Sequence, residues 1–540
     1  MKRSFYIAVL AGSLFASLPD ASKAQPSGAE TALSVANAEP ELPAPLEALL
    51  GANERRFRPA IRRIIEDPDA NQAIKDIDAL MLSLNVNSPM QLFLQTYKAQ
   101  RIVESGRVEE GEAAFRELMA EYPELLVIKL SAIHSLGYTT AADTAARLWI
   151  ETAARHPEAA RAVGGYTLGA VAGNLEARSQ VDLRDALFLA LDNIGYDPGT
   201  ASLRNQMQVA LFTNAAADSG REDQAREALA KITNPGQLIN IAAQRRFQTY
   251  WSEIDTKPAS LEGKTEALLD AMKNDFVAAG NGTAAGAFLS HAVSFTEAEA
   301  AANAYTPVLD RIMEQGEQSA YSMYDAMFWV APLARAWEAG GSPERANSLY
   351  EKALRSFGNS RGVNRLNVSA NYAVHLLENE RPRKALEYIE PAIADLEASD
   401  SALTALPPMH AVRLRAYHQL GQSEQATASR QNLEANKSAL LEIYIDTMLA
   451  IGEEAAAKDA LLAELRSVDP SDAIAYLQLP LNRLMQPARV AAESAKEQLR
   501  QDPEVARALS AVGRVVDVSP VSVTGFDHDS VALEILDVID

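Results

Sequence analysis

Apolar positions recur at helical spacing along most of the chain, and between Met327 and Glu397 they form two consecutive helix–turn–helix units in a repeated order. In the first, Ala334, Trp337, Gly341, Ala346, Tyr350 and Ala353 stand at the eighth, eleventh, fifteenth, twentieth, twenty-fourth and twenty-seventh places from Met327. Alanine at a helix crossing lets two backbones approach, an aromatic fills the next gap, and glycine permits the turn between paired helices. The second unit repeats the order more loosely with Ala373, Leu376, Ala385, Ile389 and Ala392. The same order appears earlier as Ala99, Ile102, Gly106, Gly111, Phe115, Leu118 and Pro123, then Ala145, Trp149 and Pro157; from 111 to 145 and from 123 to 157 is 34 residues each time. Ala186, Ala225 and Ala267 continue it at intervals of 41, 39 and 42 residues from Ala145, which implies lengthened helices or loops. Ala346, Ala385 and Ala426 lie 39 and 41 apart, with Ala416, Tyr417, Leu420 and Gly421 marking a third turn, a degenerate unit from Gly452 to Leu465 and a last helix from Ala488 to Leu499. The pattern predicts an all-α chain.

These spacings resemble the tetratricopeptide repeat (TPR) family, whose period is 34 residues, over roughly residues 90 to 503. The resemblance implies a right-handed α-solenoid of stacked helix pairs, similar to exported bacterial TPR-like proteins, that acts as a non-catalytic scaffold. In that family the first helix of each pair lines a concave groove that holds peptides or partner proteins. Carried onto this chain, the groove places select Phe328, Arg335, Asn367, Asn371 and Val374, and the next unit adds Arg415 and His418. The peptide-carboxylate clamp of some members is matched only by Arg335 and Asn371, because Ala331, Pro408 and Val412 stand at its other places. The resemblance therefore implies a groove for an acidic or polar segment held by charge-assisted hydrogen bonds rather than a chain-terminal carboxylate. Two alternatives stay open, a polysaccharide-handling or export-associated scaffold and an enzyme of unrecognised class.

Composition narrows this further. The chain has 540 residues, 48% of them hydrophobic but only 6% aromatic, a balance suited to closely packed helices rather than thick sheets. Its formal net charge of -22 opposes nucleic acid and a general attraction to anionic membranes. There is no cysteine, so neither a disulfide nor a lipidated cysteine is available. Lys2 and Arg3, the apolar run Phe5 to Leu18, and the small residues Ser22 and Ala24 read as an export signal cut after Ala24, which places the mature chain in the periplasm or outside the cell. No later run is long enough to span a bilayer. The expected divisions are a signal peptide (1–24), a flexible leader (25–50), an N-terminal solenoid segment (51–277), a C-terminal one (288–509), and an acidic, valine-rich tail (510–540), with a glycine-containing joint at 278–287.

Local motifs add little chemistry. A helix is expected from Arg58-Pro59, with Arg55, Arg56, Arg58, Arg62 and Arg63 forming either a solvated end or an anion patch. Asp67, Asp69, Asn71, Ile74 and Asp78 match places of a calcium loop, but Gln72 stands where that loop needs glycine, and a helix break at Asp67-Pro68 followed by an aspartate-capped helix explains the same residues. Gly280, Gly282 and Gly286 have the wrong spacing for a dinucleotide fingerprint. Gly358 to Gly362 matches a nucleophile elbow, yet the segment before it reads as helix rather than strand. The seven histidines form no metal spacing, and Asp527-His528-Asp529 read as solvated tail residues, so no metal or cofactor is expected. The valines at 515, 516, 518, 521 and 523 suggest a short strand or hairpin that folds back on the last helix or adds to a partner.

Overall fold

The computed structural model describes residue 49 and residues 55–539, apart from 68, 85–87, 179, 280–281, 316–322, 357–362, 398–405, 438–439 and 484–485. Helix follows helix throughout, with no strand among the described residues, and successive helices pack as pairs in an α-solenoid. The chain divides into two compact units after Pro198. The export signal, the leader apart from residue 49, and the Gly358 to Gly362 motif lie outside the described residues.

In unit 1 a 3-10 turn, Arg55–Phe57, leads into α1 (Arg58–Glu66), with Pro59 in the first turn as expected. Asp67 is extended, and the Asp69 carboxylate caps α2 (Ala70–Met81) by accepting from the Asn71 and Gln72 amides at 2.9 and 3.3 Å. Asn71, Ile74 and Asp78 therefore sit on a helix that cannot wrap a cation, and Asp78 faces Lys98 Nζ at 2.5 Å. The pair α3 (Pro89–Glu104) and α4 (Val108–Glu121) crosses at Gly111, where a Cβ would stand 2.4 Å from Val103 Cγ2. Only glycine fits that approach. There follow α5 (Leu126–Leu136), α6 (Ala142–Arg155), the short α7 (Pro157–Ala160), α8 (Gly165–Ala177) and α9 (Val181–Asn193). One period after Gly111, Ala145 is fully buried on α6; Trp149 is buried beside it and donates its indole N–H to Ala160 O at 3.1 Å.

Unit 2 continues with α10 (Ala201–Ala216), α11 (Glu222–Lys231) and α12 (Pro235–Ala243), a 3-10 segment Arg245–Glu253, then α13 (Pro258–Ala279), α14 (Gly282–Phe295) and α15 (Ala298–Gln315). The pairs α16 (Met323–Ala339) with α17 (Pro343–Ser356), α18 (Val363–Glu378) with α19 (Pro382–Glu397), and α20 (Leu406–Gln419) with α21 (Ser423–Ala435) form its most regular part. They are followed by α22 (Leu441–Ala450), α23 (Glu454–Leu465), α24 (Ser471–Tyr476), α25 (Pro487–Gln501), α26 (Pro503–Val512) and α27 (His528–Ile539). Every alanine, tryptophan and tyrosine that set the repeat order in α16 and α17 is buried.

Two earlier expectations shift. Ala186 is half-buried and Ala267 exposed, whereas their neighbours Leu187 and Leu268 are fully buried. One residue along a helix turns a side chain by about 100°, so the alanine register taken from the sequence is off by one place there. Of the glycine-containing joint, residues 280–281 lie outside the described residues; α13 runs to Ala279, α14 begins at Gly282, and Gly286 is helical, in close approach to Phe328 of α16.

The turns of the pairs are built alike. At Gly106, Gly341, Gly421 and Gly452 the glycine has a φ of 89, 75, 69 and 79°, and the next residue's amide reaches back five positions to the helix, as in Arg107 to Ile102 O and Ser342 to Trp337 O. This is the αL helix end that favours glycine. Glu380 takes the same place in α18–α19 with a φ of 57°, and Arg381 N bonds Leu376 O at 2.8 Å.

Unit 2 is closed by sequence-distant contacts. Phe212, Phe247 and Tyr250 share a core with Ile445, Leu477 and Val516, 195 or more residues downstream. The tail seals it as an extended strap rather than the expected strand or hairpin. Arg514 N donates to Ala243 O at 2.9 Å, Val521 N to Leu481 O at 2.7 Å and Val523 N to Phe295 O at 2.7 Å. Gln478 binds the strap's backbone twice, donating to Arg514 O and accepting from Val516 N. Val516, Val518, Val521 and Val523 are buried in alternation, but their neighbours are helix ends and a loop, so no ladder forms. The strap ends in α27, which packs on α13 and α15. His528 is buried there, contacting Thr296 Oγ1 at 2.9 Å and Tyr305 Oη at 3.3 Å, which corrects its expected place in solvent.

Candidate partner-binding site

The first helices α16, α18 and α20 of the three regular pairs pack side by side and carry the residues assigned to the groove. Those residues separate into two kinds. Phe328 and Val374 are half-buried against the core, and Asn371 donates its amide to Asn367 O and Oδ1 at 2.9 and 3.0 Å. Their contacts are satisfied within the fold. Arg335, Arg415 and His418 form the other kind. Arg335 donates from Nε to Ala331 O at 3.3 Å, a bond along its own helix. Neither Arg335 nor Arg415 has a carboxylate within 4.0 Å among the described residues. His418 is exposed.

The acids nearby explain why. Glu338, one turn beyond Arg335 on α16, is engaged by His375 Nδ1, whose Nε2 meets Asn347 Oδ1 at 3.1 Å. Glu378, seven residues beyond Asn371 on α18, lies in the field of both arginines, and enclosure by protein pushes its carboxyl above the usual range, with Glu338 adding to the rise. Protein packed around the Arg335 guanidinium lowers it from its ordinary value, although its side chain still reaches solvent. Arg489, at the start of α25, adds to that lowering and also faces Glu378. Gln486 Nε2 donates to Arg335 O at 3.1 Å and fixes the approach of α25 to α16. The groove places did not point to Glu378, Gln486 or Arg489. Helical periodicity from Asn371 reaches Glu378, but nothing in the sequence links the other two to α16.

The arginines near the N-terminus are differently placed. Arg62 pairs with Glu66 at 2.7 Å and Arg63 with Asp76 at 2.9 Å; Arg56 lies over the Phe57 ring at 4.7 Å, Arg58 is also engaged, and Arg55 is exposed. The large aromatics Trp149, Trp329, Tyr305 and Tyr372 are buried in cores rather than set along an open face. Among the described residues no group of three or more histidine, aspartate or glutamate side chains could hold a metal ion, and no helix is long and apolar enough to cross a membrane.

No family model and no curated protein matches the chain. Among solved structures it is similar to the crystal structure of yeast Tom70, at 12% identity and a TM-score of 0.26, over 86% of this chain and 99% of that one. The assignment to a helix-pair solenoid therefore rests on the packing, the turns and the crossings described above.

Proposed function

We propose that the protein is an exported, non-catalytic scaffold that binds a partner protein on α16, α18 and α20. The observation that carries this is the pair Arg335 and Arg415, two guanidiniums on neighbouring helices with no carboxylate within bonding reach among the described residues of an acidic chain. A solvent-reaching guanidinium without an anion is free to take one, and an incoming acidic segment would gain charge-assisted hydrogen bonds from both arginines. The signal-like segment Lys2 to Ala24 supports action in the cell envelope, and N-terminal sequencing of the mature protein should begin at Gln25.

The test is capture of the partner by the tagged mature protein from its native envelope. The Arg335→Ala, Arg415→Ala double substitution should weaken capture by about tenfold or more, with the helical circular-dichroism signal and melting temperature nearly unchanged. Equal capture by both proteins would move the binding surface elsewhere.

A further inference from the structure

Helices α16, α18 and α20 are approached by a segment that belongs to none of their pairs. Gln486 ties the start of α25 to the Arg335 carbonyl, and Arg489 follows one turn later, bringing a third guanidinium into the field of Arg335 and Glu378. Arg489, like Arg415, has no hydrogen bond or ion pair among the described residues. Its own helix shows the contrast, since Lys496 reaches Glu442 and Asp446 of α22, and Arg500 is held by Glu493 and Glu497. Arg489 is thus not drawn in by a carboxylate. It is held by the packing of α25 on α22 and α26, by Gln486, and by the Gln478 and Leu481 bonds that fasten the strap to the loop before α25. Like charges kept close by surrounding structure, without an anion between them, repel. An arriving anion converts that repulsion into attraction.

We propose that Arg489 completes a three-arginine site with Arg335 and Arg415, and that this site takes an internal polypeptide segment carrying at least two neighbouring carboxylates. The proposal rests on the reading of Arg335 and Arg415 above and names the third residue and the ligand's charge. Glu338, hydrogen-bonded to His375, and Glu378 supply at most two negative charges to the three guanidiniums, so at least one positive charge is left over. Two neighbouring carboxylates meet it and offer oxygens to more than one planar guanidinium edge.

The probe is a fluorescein-labelled peptide with three consecutive glutamates flanked by serine and glycine, blocked at both ends, titrated by anisotropy against the full chain at about 0.15 M salt. Arg489→Gln should weaken binding about tenfold, Arg489→Glu should abolish it, and a peptide with a single glutamate should bind at least about tenfold more weakly than the probe. Arg507→Gln, an exposed change on α26, should have no effect, and unchanged circular dichroism checks folding of every variant. If Arg489→Gln binds as the unmodified chain does while Arg335→Gln or Arg415→Gln weakens binding, the third-arginine assignment is overturned and the two-arginine reading stands. Tighter binding by Arg489→Gln would show that α25 covers the site rather than completing it. Absence of probe binding by the unmodified chain overturns both.

Discussion

Units 1 and 2 are built from the same helix pairs but treat their charges and their chain ends differently. In unit 1 many surface cations meet acids, as in Arg101 with Glu104, Arg116 with Glu112 and Arg184 with Asp185 and Glu176, and those without one among the described residues, such as Arg55 and Arg147, lie on separate helices. In unit 2 many cations do the same, but Arg335, Arg415 and Arg489 gather in the field of Glu378 without such partners among the described residues. The second difference is closure. Unit 2 welds residues 212–261 to residues 411–521 and ties the join with a strap, whereas unit 1 has no comparable strap among its described residues. In a repeat array each pair rests on its neighbours, so stability is spread along the stack. A strap that bonds distant elements concentrates stability in one segment. Regular stacking thus makes the scaffold, and the departures from it locate the candidate chemistry.

The strap offers the largest expected effect. Val521 is 3% exposed, and its amide is bonded to Leu481 O, so Val521→Asp places a carboxylate within an apolar core. Such a change costs about 3 kcal/mol or more. Urea unfolding followed by tryptophan fluorescence should show the loss, because Trp251, Trp329 and Trp337 lie in unit 2 and Trp149 alone in unit 1. Hydrogen exchange should rise at Val521 and Val523 and stay unchanged around Gly111. A change spread equally over both units would erase the contrast drawn from closure.

A smaller effect comes from protons. Burial lowers His528 to about 4, although Asp527 and Asp529 pull it the other way, and Thr296 and Tyr305 enclose the ring. Its folded value lies below its ordinary one, so the unfolded chain takes up the proton first as the solution is acidified. This part of the stability is complete above about pH 6.5, declines as pH falls through the window, and levels off below about pH 4, for a total of at most about 3 kcal/mol. Urea midpoints for unit 2 should therefore drop between pH 7 and pH 4.5, and His528→Asn should flatten the slope without removing it, since burial also lowers His291 and His410. In unit 1 surrounding protein lowers His134 with Glu104 opposing, but the residue is exposed, so the slope there should be shallower. A steeper slope in unit 1 would break this part of the comparison.

How much of this was legible in the sequence depends on whether the contact was local. The pairs of α3 to α6 and α16 to α21 followed from alanine, aromatic and glycine spacing, because helix crossings and turns are settled within a few tens of residues. The Asp69 cap followed for the same reason. The closure of unit 2 did not, because Gly513 meeting Gln244 leaves no trace in either segment, and valine alternation signals an extended chain without naming its neighbour. His528, a polar residue between two aspartates, looks solvent-exposed in the sequence, and only its packing against Tyr305 and Phe526 shows otherwise. For the site, the family places led to Arg335 and Arg415, while Arg489 joined them through a tertiary contact outside the pairs.

The smallest effect tests whether the repeated turn is governed by backbone conformation. Glu380 is exposed at the place that Gly106, Gly341, Gly421 and Gly452 occupy in other turns, and it has the same left-handed φ and the same reach-back bond from the next residue. A side chain there costs roughly 1–2 kcal/mol from the clash of Cβ with the following carbonyl. Glycine avoids that cost but loses about 0.5–1 kcal/mol more backbone entropy on folding. Glu380→Gly should therefore stabilise unit 2 by about 0.5–1 kcal/mol, and Gly341→Ala should destabilise it by about the same amount or slightly more. Gly106→Ala should do to unit 1 what Gly341→Ala does to unit 2, because the turns are alike in φ and hydrogen bonding. If Glu380→Gly lowers the urea midpoint instead, the glutamate contributes something the turn geometry does not contain, and the equivalence of the turns fails at α18–α19, the pair that carries Glu378 to the site.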